Sequence, residues 1–181
     1  MIKNIILIPG LNGKFDSFSF NVIINWALKH NIPLSKLTFS KYKTSEKFSS
    51  TFKEQIKELE DQIKDDGKDF LIVAKSLGCI PALLCQSKAN KLLVSPPVII
   101  TQTNEKLLEM KFSDMLTNPI EIGEEKFKNS AIIFSKNDKR ILPDEIKKLK
   151  NCDLYPIECS DHDPSGEEVE KDIKQYLDKY A

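Results

Sequence analysis

The chain has 181 residues, 40% of them apolar and 30% charged, with 27 basic side chains balanced by 27 acidic ones. These are the proportions of a globular protein long enough to bury a substantial core. A net charge of zero leaves no overall field to gather nucleic acid or an anionic membrane, and with Arg140 as the sole arginine, bidentate readout of phosphates or guanine edges is excluded as the main activity.

The elements follow in order along the chain. The opening "MIKNIILIPGLNG" carries too short an apolar run for a secretory signal, and no run approaches the ~20 apolar residues of a membrane-spanning helix. Ile5 to Ile8 therefore reads as a first buried strand, closed by Pro9-Gly10. Phe20, Ile23, Ile24, Ala27 and Leu28 fall at helical spacing. Lys36 to Phe39 is a short strand. Phe48, Phe52, Ile56, Leu59 and Ile63 make a helix stripe that stops near Asp66-Gly67. Phe70 to Ala74 is a strand, Leu77 to Gln86 a helix, and Lys91 to Ser95 a strand ended by Pro96-Pro97. Residues 96–129 are less regular, with a helix expected near Asn104 to Met110, and read as a short lid or irregular insertion. Ala131 to Ser135 is a strand, and Pro143 to Lys150 a helix with Pro at its first position. Leu154 to Cys159 is a last strand whose Pro156 argues for a sheet edge. Val169, Ile173, Tyr176, Leu177 and Tyr180 form the final helix stripe.

Near-continuous apolar strands alternating with helices predict one α/β domain over residues 1–181, a three-layer α/β/α arrangement with a mostly parallel sheet of about six strands. The four cysteines, Cys79, Cys85, Cys152 and Cys159, lack CxxC or Cys/His spacing. They read as free thiols of a cytoplasmic protein, with no disulfide framework and no zinc site.

Ligands of such a sheet bind at the C-terminal ends of its strands. "AKSLG", Ala74 to Gly78, stands at one such end and matches a small-x-Ser-x-Gly nucleophile elbow. Small residues there let helix and strand pack closely while Ser76 is held in a strained conformation. The new helix would offer the Leu77 N–H to an oxyanion. Asp138, in "KNDKR" after the strand 131–135, and His162, in "SDHDPSG" after the last strand, follow in the order Ser, Asp, His. "IPGLNG", Ile8 to Gly13, turns toward the nucleophile and would add the Leu11 N–H as a second donor. A phosphate loop is the rival reading of "IPGLNG", but the GxxxxGK[ST] lysine and hydroxyl and the full GxGxxG are missing.

With these motifs in place, the sequence resembles the α/β-hydrolase superfamily, and within it the small cap-less serine hydrolases of the retinoblastoma-binding-protein and YdeN-like group. The resemblance spans most of the chain. It rests on the "PG" turn after the first strand, "SLGC" at the elbow, "ND" after the penultimate strand, and a late His followed by "SG". It departs in carrying Pro9 where His is usual, Lys75 before the nucleophile where His is common, and Ala74 in place of Gly.

Each candidate has a plainer reading beside it. Ser76 could be a helix cap, and Asp138 an exposed turn residue. Asp161 and Asp163 read as loop or cap residues, Lys75 as a solvated neighbour and not a catalytic base, and Cys79 as core filler. His30 sits at a helix end, where a cation meets the dipole favourably.

The expected activity is hydrolysis of a carboxylic ester, thioester or small amide through an acyl-enzyme, with Ser76, His162 and Asp138 catalytic and Leu11 and Leu77 in the oxyanion hole. No metal or organic cofactor is required for it. A small acyl compound is the expected partner, with nucleic acid excluded and a protein partner left open. The alternatives are a non-catalytic hydrolase-fold binding protein, or a flavodoxin-like domain binding a phosphate ligand.

Overall fold

In the computed structural model, which describes residues 1–10, 13–38, 48–63, 65–97, 99–100 and 120–180, strands and helices alternate. They are β1 (Asn4–Ile8), α1 (Phe18–Lys29), β2 (Leu34–Lys36), α2 (Phe48–Gln62), β3 (Phe70–Lys75), α3 (Cys79–Leu84) and β4 (Asn90–Val94). Then come β5 (Ile99–Ile100), β6 (Ile120–Glu121), β7 (Ser130–Ser135), α4 (Pro143–Ile146), β8 (Asp153–Ile157) and α5 (Glu167–Leu177). Six strands form one sheet in the order β2-β1-β3-β4-β7-β8, and every pairing in it is parallel.

Alternation along the strands builds the two sides of this sheet. Ile6, Ile72, Leu93 and Ile132 cluster with Phe52 and Leu59 of α2 and with Ile80 and Leu83 of α3. Ile5, Leu7, Leu71, Val73, Leu92 and Ile133 cluster with Phe20, Ile23 and Trp26 of α1 and with Val169, Ile173 and Leu177 of α5. Both faces are covered, so the middles of the central strands are continuously apolar, as in Phe70 to Ala74 of β3 and Ala131 to Phe134 of β7. The result is the expected three-layer α/β/α architecture.

Local chemistry sets the helix ends. The Ser17 hydroxyl accepts the Phe20 N–H at 3.4 Å to cap α1, and Asn31, at φ +54°, ends it. Gly166, at φ +105°, turns the chain into α5, whose first turn carries Glu167, Glu168 and Glu170, the favourable sign for a helix N-terminus.

Some expected boundaries move. β2 occupies 34–36, two residues earlier than the expected start at Lys36, because its first residue pairs with Ile5; Phe39, the expected end, lies outside the described residues. The helix expected over 77–86 begins as a 3₁₀ turn, Ser76–Gly78, and becomes α-helical only over Cys79–Leu84. α4 stops at Ile146, because the Lys148 and Leu149 N–H groups already bond three residues back, to Glu145 and Ile146. β8 does lie at the sheet edge with Pro156 within it. A two-stranded antiparallel ribbon, β5 with β6, was not foreseen. The helix expected over 104–110 lies outside the described residues, as does most of the lid segment. Among the described residues no helix is long and apolar enough to cross a membrane.

Candidate active site

β3 delivers Ser76 to the C-terminal edge of the sheet, where its backbone takes φ +50°. A non-glycine residue in this left-handed region is strained by about 1–2 kcal/mol. Close packing enforces the strain. A Cβ on Gly78 would lie 2.3 Å from the Pro9 carbonyl oxygen and 3.0 Å from Ile8 Cγ2, so only glycine fits where the turn crosses the end of β1. A Cβ on Gly10 would approach Ser76 Cβ to 3.2 Å, which puts the backbone of the first loop against the nucleophile candidate. Leu77 is the second residue of the 3₁₀ turn, so its N–H has no acceptor within that turn. Leu11, the other oxyanion donor expected, lies outside the described residues.

The sheet then brings distant residues to Ser76. His162, in the loop between β8 and α5, has Nε2 2.8 Å from Ser76 Oγ. Its Nδ1 lies 2.7 Å from Asp138 Oδ2. A carboxylate can only accept, so Nδ1 carries the proton and Nε2 turns its lone pair to the serine hydroxyl. The other oxygen, Asp138 Oδ1, accepts the Arg140 N–H at 2.7 Å. Ser76, Asp138 and His162 thus form one continuous hydrogen-bonded chain.

Asp138 departs from expectation in one respect. It is buried, at 5% exposure, because the loop after β7 folds inward under His162. Ser76 and His162 stay partly exposed, which leaves the reacting end open.

The loop carrying His162 is tied down on both sides of the histidine. The buried Ser135 hydroxyl, at the end of β7, donates to the Asp161 carbonyl and lies 3.0 Å from Cys159 Sγ. On the other side, Lys75 Nζ meets Asp163 Oδ2 at 2.7 Å. Asp163 is therefore more than a cap, and Lys75 is ion-paired with only 16% of its side chain exposed, where a solvated position was expected. Ser135 did not stand out in the sequence, and Lys75 and Asp163 were each weighed there without being paired. The one available signal was charge placed directly beside both Ser76 and His162.

The remaining candidates sit apart from this chemistry. His30 caps α1 and donates from Nδ1 to the Trp26 carbonyl at 2.9 Å, with its ring 4.2 Å from the indole. Cys79 is fully buried, and desolvation pushes its thiol far above the ordinary range. Burial pushes the Cys152 thiol up to about 11. All four cysteines are free thiols.

No protein-family model matches the chain, and no curated protein matches it by sequence. Solved structures do match. The ydeN gene product of Bacillus subtilis superposes with a TM-score of 0.70 at 16% identity, covering 97% of this chain and 99% of that one. Mouse alpha/beta hydrolase domain-containing protein 10 gives 0.67 at 11% identity, over 98% of this chain and 90% of that one. The chain has the α/β-hydrolase fold. Est1E from Butyrivibrio proteoclasticus extends the match, with a TM-score of 0.62 at 12% identity over 98% of this chain and 88% of that one. Within the α/β-hydrolase fold, the loops after β3, β7 and β8 converge at one edge of the sheet, and these are the loops that carry Ser76, Asp138 and His162.

Proposed function

We propose that the protein is a serine hydrolase that cleaves a carboxylic ester, thioester or small amide through an acyl-enzyme. One observation supports this above all: the hydrogen-bonded chain Ser76–His162–Asp138, begun by a serine at positive φ and ended by a buried carboxylate. His162 Nε2 takes the Ser76 proton as Oγ attacks the carbonyl carbon. Asp138 keeps Nδ1 protonated and stabilises the imidazolium. The Leu77 and Leu11 N–H groups hold the tetrahedral oxyanion. Collapse expels the alcohol, thiol or amine, which takes the proton from His162. Water then attacks the acyl-enzyme with His162 as base, releasing the acid and restoring Ser76.

Turnover of a p-nitrophenyl ester tests the assignment of the base. His162→Ala is expected to lose nearly all turnover, whereas His30→Ala, which removes a helix cap and a ring packed on Trp26, keeps the wild-type rate. The opposite pattern would refute the reading.

A further inference from the structure

Three consecutive residues of the last loop are each fastened to a different part of the sheet edge. Asp161 is held through its carbonyl by Ser135, His162 through its ring by Asp138, and Asp163 through its carboxylate by Lys75. The third tie differs in what it joins. Lys75 immediately precedes Ser76, and Asp163 immediately follows His162. The ion pair therefore runs alongside the Ser76–His162 hydrogen bond, one residue away on each strand of chain. We propose that Lys75 and Asp163 form a positioning clamp that sets the distance between His162 Nε2 and Ser76 Oγ. The proposal rests on the reading of those two residues as base and nucleophile.

Lys75 is suited to act as the fixed post. It is the last residue of β3 and pairs with Val94 of β4, so its backbone is anchored in the middle of the sheet. The two side chains are 16% and 39% exposed, enough burial for the attraction to escape much of the screening that makes surface pairs weak. Asp163 depends on its partner, since Oδ1 is buried with no hydrogen bond among the described residues. Loss of either partner leaves a part-buried charge alone. The loop can relieve that cost by swinging residue 163 toward water, and His162 moves with it. A reacting geometry is intolerant of such movement, with a misplacement of about 1 Å costing on the order of 10²-fold in rate. Lys75 Nζ is occupied by a carboxylate, so it is a positioning residue and not the base.

The test compares Lys75→Met, Asp163→Asn, the double variant and Lys75→Arg. It measures kcat and KM for a neutral p-nitrophenyl ester, the rate at which a fluorophosphonate labels Ser76, and the thermal midpoint. Each single loss is expected to lower kcat about 10- to 100-fold, with the labelling rate falling in parallel and KM nearly unchanged. The double variant should lose no more than either single one, because both remove the same tie. Lys75→Arg, which keeps the charge, should recover most of the rate.

A merely structural pair would lower the thermal midpoint of the variants and leave kcat and labelling alone. Folded single variants that retain kcat to within about twofold would overturn the clamp, as would a double variant that loses the product of the two single effects. The two readings fail differently. If the wild type itself resists the probe, the nucleophile assignment falls and takes the clamp with it. If wild type and variants are labelled equally fast, only the clamp falls.

Discussion

Asp138 carries a charge into a place where water scarcely reaches, and what surrounds it explains why it is tolerated. One carboxylate oxygen accepts a backbone N–H from Arg140 and the other the ring N–H of His162, so both are partnered. Asp138→Asn preserves volume and can keep the Arg140 bond. Its amide N–H₂, turned to Nδ1, would push the ring proton to Nε2 and leave no base for Ser76. The same change in a serine-protease triad costs roughly 10⁴ in turnover. A loss of about that size is expected in ester hydrolysis, with the thermal midpoint little changed. Asp161→Asn, which alters a side chain outside the relay, should cost less than about tenfold. A larger loss at residue 161 than at 138 would relocate the acid. That Ser76, Asp138 and His162 would meet was readable because each follows an apolar strand in a loop too polar for the core. The burial of Asp138 was not readable, since it depends on how the loop after β7 folds back beneath His162.

At the scale of elements, the elbow is a contact between two strand ends. Gly78 lets the turn after β3 cross the end of β1 with no room for a methyl group, which would sit 2.3 Å from the Pro9 carbonyl. Gly78→Ala is therefore expected to destabilise the fold by about 1–3 kcal/mol, as overpacking does. It should also slow ester turnover, because relief of the clash must move either Ser76 or the Pro9-Gly10 turn. Urea denaturation followed beside activity checks both. A variant with wild-type stability and rate would show that the contact is looser than the geometry implies. The position of β8 was legible through Pro156, which cannot donate to a second neighbour. The limits of β2 were not, because Ser35 and Lys36 are exposed on an edge strand and leave no apolar pattern. Neither was the 3₁₀ start of the elbow helix, since one turn of 3₁₀ and one of α bury much the same residues.

For the whole molecule, near-continuous apolar strands separated by amphipathic stretches were enough to imply a parallel sheet covered on both faces, and a parallel sheet gathers its functional loops at one edge. The convergence of residues 76, 138 and 162 follows from that topology. The ties between loops do not. Ser135 with Asp161 and Lys75 with Asp163 are pairs of ordinary side chains far apart in sequence, and no local pattern marks them. The β5–β6 ribbon has strands of two residues each, too short to show a period. The central claim is that this sheet edge activates one hydroxyl, and covalent labelling measures that directly. Folded protein treated with a fluorophosphonate should gain one adduct by intact mass, which peptide mapping places on Ser76, and Ser76→Ala should gain none. No adduct on the wild type, or an adduct on another serine that persists in Ser76→Ala, would contradict the account.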